Sequence, residues 1–263
     1  MVDFLEGERL TVVFKYGSLR PRLALEHIET ILASHNVPHV GFKLDGDPPV
    51  SLAQALERLE ATHSKHFTLV GQGFEFDLRS LARWKLDFLG LRSVTKPGRT
   101  WDEWAGPFSQ LPDFVMAWVA DCEYEYWQNA KDPLEYNVLG KSYAGFPMIS
   151  NGLVYPLEQQ IIDTSRNPGR RLLREGYIEV IGAVMWLGEP FWPLSWADRK
   201  QVVAAEWLRI SNPAPSVTRL EAAERCFTTA EDRSAALQAK LRALLFPARS
   251  APPAAPQNAK NSR

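Results

Sequence analysis

Residues 177–210, YIEVIGAVMWLGEPFWPLSWADRKQVVAAEWLRI, hold four of the nine tryptophans in this chain of 263 residues. The first part of the stretch, 178–187, is mostly β-branched or apolar and contains Gly182. This composition is typical of a central strand that is covered on both faces. Gly188 and Pro190 follow and end the run. We therefore expect one buried strand at the centre of a sheet.

A helix is expected directly after this strand. Ser195 followed by Asp198 has the form of an N-cap with an acid at the third helical position, so the helix should begin near Trp196. The apolar residues that continue to Ile210 suit a helix packed back on the sheet. This strand and helix are scaffold and carry no chemistry of their own.

Strands and helices are interleaved along the rest of the chain without a regular β-α-β rhythm. Strand-like runs occupy 10–16, 37–45, 66–70, 74–78, 85–94 and 114–120, and helices are expected at 20–34, 51–62 and 100–109. This order favours an α+β fold, a largely antiparallel sheet with packed helices, over a doubly wound fold. Hydrophobic residues make up 45% and charged residues 23% of the chain, which are proportions of a folded globular protein.

The C-terminal part has a different composition. SNPAPS at 211–216 reads as a linker, followed by helices at 217–227 and 231–246. The sequence therefore predicts an α+β domain over 1–212 and a C-terminal helical extension over 213–246. The Pro, Ala and Ser content of 247–263 predicts a disordered tail.

Charge is distributed unevenly along the chain. Six of the 30 bases and none of the 31 acids follow Asp232, which leaves residues 1–232 with 24 bases against 31 acids, a balance of −7. An acidic body argues against direct binding of nucleic acid and favours encounter with a basic protein. No apolar stretch is long enough to span a bilayer and no basic region leads into an apolar run, so we expect a cytoplasmic protein without a membrane partner.

No catalytic or metal-binding constellation is recognisable. GKS at 140–142 lacks the first glycine of a phosphate-binding loop, because Glu135 stands there. The histidine pairs His35 with His39 and His63 with His66 have no third ligand nearby. The two cysteines, at 122 and 226, form no CxxC motif. We therefore expect no catalysis, cofactor or metal, although carboxylates distant in sequence could still meet in space.

The candidate partner-binding site is the segment 121–135, DCEYEYWQNAKDPLE, which has five acids, one base and three aromatic residues. Its candidate residues are Asp121, Glu123, Tyr124, Glu125, Tyr126, Trp127, Asp132 and Glu135. Aromatic side chains anchor protein interfaces, and acids around them select a basic partner. The alternative is that Tyr126 and Trp127 are core residues and that the acids form a solvated face. The segment itself is either a helical turn capped by Asp121 or a strand.

CEYEYWQN at 122–129, together with GAVMWLGEPFWP at 182–193 and the capped helix expected after it, resembles the immunity-protein-52 family. The resemblance covers roughly residues 5–212 and excludes the linker, the last helices and the tail. Proteins of this family are encoded beside toxins of polymorphic and type VI secretion systems. The resemblance implies a cytoplasmic immunity protein that binds and neutralises a cognate toxin, here one with a restriction-endonuclease-like nuclease domain and a basic surface.

Two other functions remain open at this stage. A small-molecule enzyme, such as a hydrolase, would have a deep pocket lined by titratable groups. An adaptor or chaperone would bind a secreted effector for delivery and leave its toxicity intact. Only an inhibitor would restore the growth of cells that make the toxin in their own cytoplasm.

Overall fold

The computed structural model describes residues 5–93 and 101–247. The strands are β1 (Glu8–Lys15), β2 (Lys43–Leu44), β3 (Phe67–Gly71), β4 (Phe74–Leu81), β5 (Leu86–Ser93), β6 (Phe114–Asp121), β7 (Met148–Ser150), β8 (Gln160–Ile162), β9 (Leu172–Arg174), β10 (Tyr177–Glu179), β11 (Val184–Gly188), β12 (Arg209–Ala214) and β13 (Val217–Glu221). The α-helices are α1 (Pro21–Ser34), α2 (Leu52–Ala61), α3 (Trp101–Ser109), α4 (Cys122–Asn129), α5 (Pro133–Val138), α6 (Phe191–Ser195), α7 (Arg199–Val203) and α8 (Asp232–Leu245). No helix among these residues is both long and apolar enough to cross a membrane.

Nine strands form one sheet in the order β12-β13-β11-β6-β1-β5-β4-β3-β2. Every neighbouring pair in it is antiparallel. The predicted α+β class with a largely antiparallel sheet is therefore confirmed. The strand β1 lies at the centre, where Val12 stands opposite Leu89 of β5 and Ala117 of β6.

Both faces of the sheet are covered. Leu10, Val12 and Phe14 of β1 belong to a core that also contains the buried side chains of α1, α2 and α3. Val13 belongs to a second core on the other face, formed with residues 177–183, α6, α7 and α8. The alternation of β1 side chains between two cores follows from the two-residue period of a strand, and residues 10–14 of β1 are all buried.

The single strand expected over 178–187 is wrong. Tyr177–Glu179 pairs with β9 as a separate two-stranded sheet, and Val184–Gly188 lies in the main sheet between β6 and β13. The chain crosses between the two at Gly182, where an added Cβ would lie 2.8 Å from the carbonyl oxygen of Val119. The glycine therefore marks a close approach of two backbones, and the approach interrupts the strand.

The helix expected from Trp196 to Ile210 is also wrong. Ser195 is the last residue of α6, and Trp196 follows it with a left-handed φ of 66°. Asp198, expected inside the helix, is instead the N-cap of the short α7, where its Oδ1 accepts a hydrogen bond from the Lys200 N–H over 2.9 Å. Ile210 is in β12, where it pairs with Leu220 of β13.

The linker expected at 211–216 and the first C-terminal helix expected at 217–227 are also wrong. These residues contribute to the edge hairpin β12–β13, in which Ile210 pairs with Leu220 and the register shifts between Ser211 and Ala214. Pro213 is tolerated in β12 because an edge strand does not need every N–H. The domain boundary expected between residues 212 and 213 lies inside β12. The last helix is confirmed as α8, whereas the tail expected at 247–263 lies, beyond Pro247, outside the described residues.

Candidate protein-binding surface

The segment 121–135 forms two short helices, α4 and α5, so the helical alternative is confirmed. Asp121 caps α4 by accepting a hydrogen bond from the Tyr124 N–H over 2.8 Å. Asp132 caps α5 in the same way, from the Leu134 N–H over 2.9 Å. Two of the five acids in the segment thus stabilise helix N-termini. Burial raises the pKa of the Asp121 carboxyl, while Asp132 is exposed.

Glu123 and Glu125 have different environments although they are two residues apart on α4. Glu123 is exposed and accepts a hydrogen bond from Lys141 Nζ over 2.8 Å, which lowers the pKa of its carboxyl. Glu125 is only 8% exposed. Its Oε1 lies 3.4 Å from Trp118 Nε1 and 3.6 Å from Arg171 Nη1. Glu125 is therefore held inside the protein, and Glu123 faces outward.

The aromatic residues of the segment are partly buried, and both tyrosines are hydrogen-bonded. Tyr124 donates its hydroxyl to Gln238 Oε1 of α8 over 2.7 Å, and burial raises the pKa of Tyr124 to about 12. Tyr126 donates to Glu135 Oε2 over 2.9 Å. Burial, with this hydrogen bond, raises the pKa of Tyr126 to about 12. Trp127 packs against Tyr136, with ring centroids 4.5 Å apart.

These rings form a small third core, separate from the two cores of the sheet. Its buried members are Ala130, Tyr136 and Ile162, and Tyr126, Trp127 and Tyr143 pack on it. The contacts of Tyr126 and Trp127 therefore agree with the alternative, in which these two rings pack against a core. Of the five acids, Glu123 and Asp132 have exposed side chains.

A hairpin formed by β7 and β8 projects from this third core. Its base is fixed by Ile162, whose side chain is buried and whose N–H donates to the Lys131 carbonyl oxygen over 2.8 Å. Phe146, just before β7, packs edge-on against Tyr136 at 5.7 Å between centroids. The segment that the sequence predicts as the interface therefore supports this hairpin.

The loop at the end of the hairpin, residues 153–157 (LVYPL), is termed the tip. Its large apolar side chains are exposed: Leu153 54%, Val154 81%, Tyr155 89% and Leu157 62%. Sequence reasoning missed these residues. The sequence did contain one indication of this loop: Glu158 is the only charged residue between Lys141 and Asp163.

The tip has a defined backbone. Asn151 Oδ1 accepts hydrogen bonds from the N–H groups of Leu153, over 3.0 Å, and Gln159, over 3.2 Å. Its Nδ2 donates to the Leu157 carbonyl oxygen over 2.9 Å. Within the loop, the Leu157 N–H donates to the Val154 carbonyl oxygen over 2.9 Å. One asparagine thus closes the loop and holds its apolar side chains outward.

Two clefts lie on either side of α4. One, of about 610 Å³, is lined by acids and bases in equal number: Glu125, Asp132 and Glu135 with Arg9, Lys131 and Arg171. Cys122 also lines it, and burial raises the pKa of that thiol to about 11. The other cleft, of about 790 Å³, lies between α4 and residues 228–231. Within residues 5–93 and 101–247, no three His, Cys, Asp or Glu side chains are grouped to hold a metal ion.

The fold is similar to that of the Pseudomonas aeruginosa T6SS protein PA0821, where T6SS denotes the type VI secretion system. The TM-score is 0.51 at 9% sequence identity, and the match covers 91% of this chain and 73% of that one. At this identity the likeness shows a shared fold. No family model matches this chain, so the immunity-protein-52 family remains a resemblance. No curated protein matches it either.

Proposed function

We propose that this chain is an immunity protein of a type VI secretion system, which binds and neutralises a cognate toxin in the cytoplasm. The observation that carries the proposal is the surface around the third core. There an ordered, exposed apolar tip and the exposed acids Glu123 and Asp132 are supported by the same small cluster of aromatic rings. The shared fold with a protein named for this secretion system supports the proposed context.

A protein partner accounts for the exposed apolar area. Soluble proteins rarely leave contiguous apolar patches uncovered, and where they do the patch commonly marks an interaction site. Exposed Leu134 and Val138 on α5 add to the apolar side chains of the hairpin.

A nuclease is the proposed class of toxin. A nuclease holds phosphates through clustered Lys and Arg, and an acidic protein is attracted to such a surface. Residues 1–232 carry a balance of −7, from 24 bases and 31 acids. Glu123 and Asp132 would face the partner, whereas Glu125 would act indirectly by holding α4 in place.

The test is co-expression of this chain with the protein encoded by the adjacent gene, in cells that arrest when that protein is made alone. We expect growth to be restored and the two proteins to co-purify. Co-purification without rescue would identify an adaptor or chaperone instead. Absence of both would contradict the proposal.

A further inference from the structure

We propose that the tip, residues 153–157, is the principal anchor for the partner, and that it inserts into an apolar groove whose rim carries a Lys or Arg facing Glu158. This inference rests on the proposed function, because it assigns the surface through which the toxin is held. It names a different surface from the acidic segment that the sequence predicts.

The first argument is the concentration of exposed apolar side chains. Val154 and Tyr155, at 81% and 89%, have the most exposed large apolar side chains in the described part of the chain. They are adjacent, with Leu153 and Leu157 beside them. Val40 and Val203, by contrast, are exposed singly, which is normal for a protein surface. A cluster on one projecting loop needs a partner to cover it.

The second argument is the order of the loop. The hydrogen bonds of Asn151 to Leu153, Leu157 and Gln159 fix the backbone before any partner arrives. A loop already in its bound shape loses less conformational entropy on association, so more of the energy from apolar burial appears as affinity. Tyrosine is also one of the residue types that are enriched among the strongest contributors to protein interfaces.

The third argument is charge, which selects among possible partners. Residues 142–165 contain no Lys or Arg, and exposed Glu158 directly follows the tip. Anionic membranes and nucleic acids both attract clustered bases, so neither suits this surface. A protein groove that is apolar inside and basic at its rim suits both the tip and Glu158.

A second copy of this chain fits less well. Its own surface has an apolar groove of about 760 Å³, lined by Pro190, Pro193 and Leu194, with Lys15 and Lys85 among its residues. Both lysines are already paired, Lys15 with Asp113 over 2.8 Å and Lys85 with Glu175. Their charge is therefore largely neutralised and does not complement Glu158.

The experiment measures binding of the full-length chain to the purified protein encoded by the adjacent gene, by calorimetry. The test variant is the double substitution Val154→Ser with Tyr155→Ser. Its matched control is Val40→Ser with Val203→Ser, at exposed residues elsewhere. We expect the tip variant to weaken binding roughly 10- to 100-fold and the control to stay within about twofold. Both variants should keep the wild-type unfolding midpoint, because these side chains are exposed.

Glu158 is tested separately. Glu158→Lys should weaken binding more than Glu158→Gln, and Glu158→Gln should reduce the salt dependence of the affinity. Wild-type affinity in the tip variant would overturn the inference while leaving the proposed function intact, since the toxin would still be bound.

If the wild-type chain neither binds nor neutralises that protein, the proposed function fails and the tip is tested on its own. A photo-crosslinking amino acid at position 154, with position 40 as control, is then introduced in the cells that naturally make the chain. A crosslink from 154 alone to an apolar, Lys- or Arg-flanked segment of one other protein supports the anchor. Crosslinks to a second copy or to lipid, or no crosslink, overturn it.

Discussion

Arg242 of α8 donates a hydrogen bond from Nη1 to Glu179 Oε1 over 3.0 Å, and both side chains are buried. Its Nη2 donates to the carbonyl oxygens of Pro168, over 3.1 Å, and Arg170, over 2.6 Å. Burial lowers the pKa of Arg242 to about 10. These hydrogen bonds attach α8 to residues 168–179, and the buried side chains of α8 complete the second core.

Arg242→Ala should destabilise the fold by about 1–3 kcal/mol, because the buried Glu179 Oε1 loses its donor while Oε2 keeps its pair with Arg174. Urea unfolding of the two proteins gives the difference. Lys240→Ala is the control on the same helix. Lys240 is exposed and lies 4.4 Å from the Trp207 ring centroid, so its loss should cost about 1 kcal/mol or less. Equal costs would contradict the structural role of Arg242.

Leu241→Ala should cost about 2–5 kcal/mol, because Leu241 is fully buried in the second core and its removal leaves a cavity. Leu134→Ala, at a side chain 65% exposed, should change the free energy of unfolding by no more than about 0.5 kcal/mol. Thermal or urea unfolding distinguishes the two. A negligible effect of Leu241→Ala would mean that α8 is not packed on the body in solution.

Gly182→Ala should be destabilising, because its Cβ would meet the Val119 carbonyl oxygen at 2.8 Å and the backbone cannot move without disturbing β6. Gly90→Ala is the matched substitution. Gly90 lies in β5, where the nearest atom to an added Cβ would be Arg9 Cδ at 3.7 Å, an ordinary van der Waals distance, so alanine should be neutral or stabilise by up to about 1 kcal/mol. Unfolding midpoints that shift in the same direction for both variants would contradict the close approach at Gly182.

Stability should fall as the pH rises from about 10 to about 12. Tyr124 and Tyr126 each have a pKa raised from 10.0 to about 12, so over this interval the folded state holds protons that the unfolded state has lost. Below it both states are protonated at these groups, and the contribution is constant. Denaturant unfolding of the wild type and of Tyr124→Phe with Tyr126→Phe, followed across this interval, should show a shallower decline in the double variant. Parallel curves would exclude these tyrosines as the cause.

Glu125→Ala should lower the stability of the fold, whereas substitution of Glu123 should change stability little and affect binding instead. Loss of the buried Glu125 leaves Trp118 Nε1 without its acceptor and should cost about 1–3 kcal/mol of stability. Loss of the exposed Glu123 should cost less than about 1 kcal/mol, since its pair with Lys141 is in solvent. Under the proposed function, Glu123→Arg should weaken toxin binding in calorimetry. Unchanged affinity would remove Glu123 from the interface.

Sequence reasoning was most successful where a local signal agrees with the final environment. The helix expected at 51–62 forms as α2 with a capping box of Ser51 and Gln54, and the Asp121 cap of α4 likewise involves residues within one turn. The prediction failed at Ser195. This residue is of a type that often caps a helix N-terminus, but it is the last residue of α6, and the N-cap of the next helix is Asp198. It failed also at SNPAPS, since pairing at the sheet edge depends on a partner strand that the local pattern does not reveal.

The sequence by itself determined the α+β class, the antiparallel sheet and the places of α1 to α3 and α8, because hydrophobic period and capping chemistry are local. Only the tertiary structure decided which acids of 121–135 are exposed and that LVYPL at 153–157 projects into solvent. The physical reason is that exposure depends on which distant residues cover a side chain. An apolar run reads the same in a sequence whether it is enclosed in a core or held outward by a single asparagine.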